Sequence, residues 1–171
     1  VISNSSCYRM DEDVPLLIPE INADHLALLD VQKKKRGYGK GFIVTNPNCA
    51  ILSFAPPLAA LERRFGVEAV MVTTMQAISG AGYPGVSSMD ITDNVLPYIA
   101  GEEPKVETES QKILGTFADG MIQKADFTVS AQCFRVNVLD GHTVAVRVKL
   151  RNPSTLEEVI EAMETFPVLD L

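Results

Sequence analysis

The sequence predicts an α+β fold in which helices cover one face of a mixed, largely antiparallel sheet. Residues 67–77, 127–138 and 143–150 alternate apolar and polar side chains with the period of a strand. Residues 51–65, 106–114 and 155–163 carry helical patterns instead. A Gly-x-Gly-x-x-Gly turn, or any related glycine-rich strand-to-helix turn, is missing from the sequence. A whole dinucleotide-binding sheet is therefore not expected within it.

The elements follow in order. Residues 1–4 read as the end of a strand, followed by a serine-rich turn. Residues 14–22 are apolar and extended, because Pro15 and Pro19 oppose a helix. A helix is predicted over 23–33, with Asn22 or Asp24 near its start and His25 on its surface. Residues 41–44 form a short apolar strand, and a helix runs over 51–65 with Gly66 as its stop. Inside that helix Pro56-Pro57 predicts a kink or a break.

The strand over 67–77 runs into a loop at 78–85 that holds Gly80, Gly82, Gly85 and Pro84. So many glycines in one loop bring backbone close to a ligand or partner, or simply connect two elements. Residues 90–97 read as irregular or extended, and a helix charged on one side spans 106–114 before Gly115. Strands 127–138 and 143–150 are expected to pair across the Asp140-Gly141 turn, with His142 just past it. Ser154 caps the last helix, with Glu157 at the capping-box position.

A chain of 171 residues with 46% hydrophobic content can bury the core of one domain, with room for a fragment of another. A net charge of −7 argues against nucleic-acid and anionic-membrane partners. The basic run Lys33-Lys34-Lys35-Arg36 reads as a solvated loop face. Three cysteines without paired spacing imply no disulfide framework and suit a reducing cytoplasm. There is no apolar run near the ~20 residues of a membrane span, no signal-peptide pattern, and no metal site is expected. Because the first residue is Val1, the chain is expected to be an excised or processed piece.

The candidate chemistry centres on Thr45-Asn46-Pro47-Asn48-Cys49-Ala50. Cys49 falls where a strand hands over to a helix, with Asn46 or Asn48 as the cap. Unpaired N–H groups at a helix start favour negative charge on sulfur, which suits a nucleophile. A buried structural cysteine is the alternative, and the polar turn weighs against it. Cys7 and Cys133 lack such surroundings and read as packing residues. Arg135 offers a fixed bidentate fork, and His142 titrates near neutral pH.

Asn46-Pro47-Asn48-Cys49 after an apolar strand resembles the nucleophile motif of the aspartate-semialdehyde dehydrogenases. The local form over 41–49 is similar to their archaeal and fungal branch, and malonyl-CoA reductases of the same superfamily share it. Three further stretches match in the same order: residues 74–82, the Glu102 to Lys105 segment, and residues 134–143. The resemblance covers essentially the whole chain and maps onto the middle of the family's sequence. It implies the catalytic and dimerisation half of the glyceraldehyde-3-phosphate-dehydrogenase-like fold over 36–171. Residues 1–35 would then be the C-terminal remnant of a Rossmann-type dinucleotide-binding domain.

The resemblance also implies roles. Cys49 would be the nucleophile and His142 the acid/base; Gln76 would hold the substrate's amino-acid group near the nucleophile, and Arg135 would clamp its carboxylate. Glu102 would contact the ammonium and Lys105 the phosphate, with Glu103 and Lys112 as alternatives. Arg9 would lie in the anion pocket, although its residue type fits a surface ion pair equally well. Ser3, Asn4, Asn22 and Gly80 would lie beside a nicotinamide. NADP is the cofactor expected of the full-length family, with NAD not excluded, and this chain alone is not expected to bind it.

The activity so implied is reductive dephosphorylation of aspartyl phosphate to the semialdehyde through a cysteine thioester. A homologue without a cofactor domain, using Cys49 and His142 for non-redox chemistry, is the alternative; an idle dimerisation module is another. The family pattern implies a homodimer through the sheet, or a tetramer built from it. Strands 67–77 and 127–138 support this independently, being apolar enough to need cover on both faces, and Val144, Val146 and Val148 add a third apolar row.

Overall fold

The structure, a computed structural model, describes residues 1–167. At the start of the chain β1 (Ile2–Ser3) pairs in parallel with β2 (Val44–Thr45), and Leu16 bridges Thr45 beside them. Pro19 then opens a single helical turn, α1 (Pro19–Asn22). A 3-10 turn over Ala23–Ala27 leads into α2 (Leu28–Arg36), which ends at Gly37 in the left-handed conformation. The Asn46-Pro47-Asn48 turn follows β2 and opens α3 (Cys49–Phe65), with Gly66 as its C-cap.

The second half contains β3 (Val67–Gln76), the short α4 (Ser88–Ile91) and β4 (Val95–Leu96). It continues with α5 (Glu102–Ile113) and the hairpin of β5 (Thr116–Ala118) and β6 (Met121–Gln123). Strands β7 (Thr128–Val136) and β8 (Thr143–Leu150) and the helix α6 (Leu156–Glu164) complete it. The predicted α+β class holds: the main sheet has the order β4-β7-β3-β8, parallel only between β7 and β3.

Sheet register determines which side chains meet. Val70 lies beside Val129 and Val148, and Val72 beside Ala131 and Val146, on the face covered by α3, α5 and α6. There Phe54, Leu58, Val106, Ile113 and Cys133 share one core with Leu16, Ile18 and Ile21 from the start of the chain. Each Leu, Ile or Phe buried in this way contributes about 1.5–3 kcal/mol. The opposite face is uncovered: Met71 is 58% exposed, with Ser130 and Arg147 in register on either side.

Several expectations change. Residues 127–138 and 143–150 do not pair, because β7 and β8 each bond to β3 and flank it. They therefore lie about 10 Å apart, twice the usual strand spacing. The Asp140-Gly141 segment belongs to a loop over 137–142 that crosses the end of β3 instead of forming a two-residue turn. Val144 and Val148 pack against the core on the helix side, while Val146 between them is 38% exposed, so the expected third apolar row is covered at its ends and open in the middle.

The strand predicted at 41–44 shrinks to Val44–Thr45. Pro19 starts a helix, as its missing N–H allows at a first position. Pro56-Pro57 does not break α3. The carbonyls these prolines leave without donors belong to Leu52 and Ser53, on the exposed side of the helix. Short elements, α4 and β4, interrupt the stretch read as irregular, and a 3-10 turn over Ile78–Ala81 opens the glycine loop.

α5 begins at Glu102, ahead of the predicted 106. The α6 cap is Thr155 with Glu158, one residue along from Ser154 and Glu157. His25 is buried, not on a helix surface: Asn22 Nδ2 donates to its Nδ1 and its Nε2 meets the Gly115 carbonyl, both at 3.0 Å. Cys133 packs in the core as expected, whereas Cys7 is exposed.

Candidate active site

Cys49 is the first residue of α3, and the sequence around it makes the turn. Asn48 is the N-cap, its Oδ1 accepting the Ala50 N–H at 2.9 Å. The Cys49 side chain is exposed while its neighbours Asn48 and Ala50 are buried, so the sulfur projects from a fixed base. His142 reaches it: Nε2 lies 3.2 Å from the Cys49 sulfur.

The sheet places that histidine. Met75 pairs with Thr143 at the start of β8, so the residue before it comes to the end of β3. There the Ala77 N–H donates to His142 Nδ1 at 3.1 Å. The neutral ring accordingly carries its proton on Nε2, facing the sulfur. Burial, then the Arg135 guanidinium, push His142 below the ordinary histidine value, against the opposing charge of Glu102.

Gln76 and Arg135 are register partners at the ends of the parallel pair, both pointing to the helix side. Arg135 donates to the Ala77 carbonyl at 2.7 Å. Gly80 closes over both: a Cβ there would stand 2.8 Å from His142 Cε1 and 3.0 Å from Arg135 Nη1. Only a residue without a side chain allows that approach.

α5 supplies the other wall. Glu102, Lys105, Glu109 and Lys112 recur at helical spacing along one side of it. That stripe faces inward and not toward solvent, because each charge finds a partner. Glu102 Oε2 accepts from Asn48 Nδ2 at 2.8 Å and from Gln76 Nε2 at 3.2 Å, and Oε1 from Lys105 Nζ at 2.7 Å. Burial raises the Glu102 carboxyl, but these donors outweigh it and hold it below the usual carboxylate value.

Glu109 accepts from Arg9 Nη1 at 3.1 Å and from the Asn48 N–H at 2.8 Å. Lys112 donates to the carbonyls of Arg9, Asp11 and Val14 at 2.8–2.9 Å. Burial pushes Lys112 down to about 8, yet three carbonyl acceptors call for the three N–H groups of an ammonium.

These side chains enclose an open cleft of about 490 Å³ whose lining includes Cys49, Gln76, Glu102, Lys105, Arg135 and Arg9. Asn4 and Gly80 line it too. Arg9, Lys105 and Arg135 against Glu102 and Glu109 leave one excess positive charge there, in a chain whose formal charge is −7. An anionic ligand suits such a cleft.

Two of the predicted residues stand elsewhere. Asn22 is spent in the core, accepting from the Ile18 N–H and donating to the Leu16 carbonyl and His25. Ser3 lies in β1, its hydroxyl accepting from the Ser5 N–H. Glu103 accepts from the Cys133 N–H on the edge of β7 and Lys112 ties down the first loop, which leaves Glu102 and Lys105 for the cleft.

From sequence Asn48 is expected only as a cap and Glu109 not at all; here the Asn48 N–H donates to Glu109 and its Nδ2 to Glu102. The signal for Asn48 was its place in the Asn-Pro-Asn-Cys turn; that for Glu109 was its spacing of two helical turns from Glu102.

Residues 58–170 match the semialdehyde dehydrogenase family, dimerisation domain. The whole chain is 54% identical to an aspartate-semialdehyde dehydrogenase of Archaeoglobus fulgidus, of which it covers 49%. Its match to the enzyme of that name from Aspergillus fumigatus is 50% identical and covers 97% of this chain and 47% of the relative. Among solved structures, aspartate semialdehyde dehydrogenase with NADP from Candida albicans superposes with a TM-score of 0.82 at 40% identity, over 95% of this chain and 48% of that one. The Vibrio cholerae aspartate semialdehyde dehydrogenase II complexed with ASA gives a TM-score of 0.78 at 29% identity, over 97% of this chain and 53% of that one. The chain thus spans about half the length of the curated relatives it matches.

Proposed function

This chain belongs to the semialdehyde dehydrogenase family, and from that premise we propose that it carries the catalytic half of an aspartate-semialdehyde dehydrogenase. The observation that carries the reading is the 3.2 Å approach of His142 Nε2 to a cysteine sulfur at the first position of a helix. A nucleophile and an acid/base at that distance suit acyl transfer through a thioester.

In the biosynthetic direction Cys49 sulfur attacks the carbonyl carbon of aspartyl phosphate, and the C–O bond to phosphate breaks. Arg9 and Lys105 hold the departing phosphate. In support, Arg9 Nε is buried and finds no hydrogen-bond partner among the described residues. Arg135 binds the substrate carboxylate bidentately, while Glu102 and Gln76 take its ammonium end.

When bound in the whole protein, the reduced cofactor, NADPH, would supply the hydride that reduces the thioester. The Nε2–H of His142 donates to the oxygen on which negative charge gathers as the hydride arrives; the carbonyl then re-forms, the C–S bond breaks with its electron pair passing to the Cys49 sulfur, and the aldehyde leaves. Asn4 and Gly80, on the wall beside Cys49, fit a nicotinamide packed there; Ser3 and Asn22 do not, being committed to other contacts. For the phosphates of the cofactor the sequence offers no glycine-rich cradle.

Residues 1–35 we read as the remnant of the dinucleotide-binding domain, in keeping with the parallel pairing of β1 and β2. The uncovered sheet face around Met71 we read as the homodimer surface.

The test uses the full-length protein with aspartate semialdehyde and NADP in phosphate-free buffer. A thioester mass increment on the peptide holding Cys49 is expected, discharged on adding phosphate and absent in Cys49→Ser. Turnover without any adduct, or an adduct on another residue, would overturn the assignment.

A further inference from the structure

We propose that Glu109 is a positioning residue that holds the anion-binding Arg9 and the nucleophile loop in one register. The inference rests on reading Arg9 as part of the anion site.

Glu109 is 1% exposed, and a buried carboxylate is costly unless both oxygens are satisfied. Here one oxygen accepts from Arg9 Nη1 at 3.1 Å and the other from the Asn48 N–H at 2.8 Å. The three groups come from three separate parts of the chain: the first loop, α5, and the turn that opens α3. A second route between them runs from Arg9 Nη2 to the Asn4 carbonyl and from Asn4 Oδ1 to Asn46 Nδ2, but that route ends in an exposed bond. Glu109 is the buried link that reaches the Arg9 guanidinium itself, since Lys112 holds only the Arg9 carbonyl.

Its sign excludes a simpler role. A negative charge beside the start of α3 opposes the charge that a helix N-terminus would stabilise on Cys49. Activation of the thiol therefore does not explain a carboxylate here, whereas geometry does. With Glu109 in place, an anion bound at Arg9 stands at a set distance from the Cys49 sulfur. Without it, the Arg9 guanidinium and the Asn48 N–H lose their shared acceptor, although Lys112 still holds the Arg9 carbonyl and Glu102 the Asn48 side chain.

The experiment follows alkylation of Cys49 by uncharged iodoacetamide in the full-length protein, titrated with inorganic phosphate. In Glu109→Gln the side chain is the same size, but its single carbonyl oxygen can serve Arg9 or Asn48 and not both. Losing one charge-assisted hydrogen bond should raise the half-saturating phosphate concentration about tenfold or more. The phosphate-free Cys49 rate should change as well. Glu107→Gln is the control, since Glu107 lies on the same helix and, among the described residues, accepts only from the Ala131 N–H. It should move neither readout, whatever it does to the melting temperature.

Wild-type values of either readout in Glu109→Gln would overturn the coupling, and a lowered melting temperature alone would mark a merely structural residue. If Glu109→Gln does not fold, Arg9→Gln decides, because a Cys49 rate unchanged there also overturns it. If phosphate leaves the wild-type rate untouched, it is the anion reading of Arg9 that fails, and Glu109 is judged on the phosphate-free rate.

Discussion

The Ala77 N–H donates to Nδ1 of His142, and this bond decides which nitrogen serves Cys49. A backbone donor at Nδ1 leaves the proton of the neutral ring on Nε2, 3.2 Å from sulfur. It also opposes protonation at Nδ1, in line with burial and Arg135, which together hold His142 below its ordinary value. The ring is thus neutral at and above the usual histidine range and charges only as pH falls below it. Activity of the full-length protein should fall on the acid side through a value below 6.5, with His142→Asn losing about 10²–10⁴-fold in kcat. A wild-type acid limb above pH 7 that survives in His142→Asn would refute the assignment.

Cys49 is exposed at a helix start, while Cys133 is buried and its thiol pushed up by desolvation. Native alkylation near neutral pH should label Cys49 before Cys7 and Cys133. Equal rates at all three, read by peptide mass, would sink the nucleophile assignment.

Gly80→Ala tests the close approach directly. Its Cβ would meet His142 at 2.8 Å and Arg135 at 3.0 Å, so the imidazole must shift. Misplacement of that kind costs up to about 10²-fold in kcat. The melting temperature should hardly change, since the glycine is exposed and not in a strained conformation. Wild-type kcat would show that His142 is not held by this contact.

His25 provides a stability test. Burial is the main cause holding it below its ordinary value. The unfolded chain then takes up the proton first as pH falls. Its contribution to stability is full above about 6.5 and is lost as pH falls through the lower folded value. Urea denaturation from pH 7.5 to 5 should show that loss, and His25→Leu should flatten its own share of it. The same change leaves one Asn22 N–H and the Gly115 carbonyl without a partner, at a cost of about 1–3 kcal/mol. An identical pH slope in the variant would clear His25 of the effect.

The uncovered sheet face gives the last test. Met71→Lys puts a charge at its centre. Light scattering at tens of micromolar should show a dimer for the full-length wild type and a monomer for the variant. A variant as dimeric as the wild type would place the interface elsewhere.

Much of this protein was legible from local pattern. Alternation located β3 and β8 to within a residue of their observed ends, and the Asn-Pro-Asn-Cys turn placed Cys49 at the head of α3. Arg135, Gln76, Glu102 and Lys105, named from the family resemblance and not from periodicity, do line one cleft. Such features are written in short runs of chain, where side-chain period and capping chemistry act between near neighbours.

What pattern could not show was decided by partners distant in sequence. Whether β7 and β8 pair depends on β3 coming between them, which no turn signal records. The charged side of α5 faces inward because Arg9, Asn48 and three carbonyls are there to meet it. His25 is core because Gly115, far along the chain, accepts its N–H. A charge or an imidazole reads as solvent-facing in isolation, and only the tertiary structure brings the group that makes its burial tolerable.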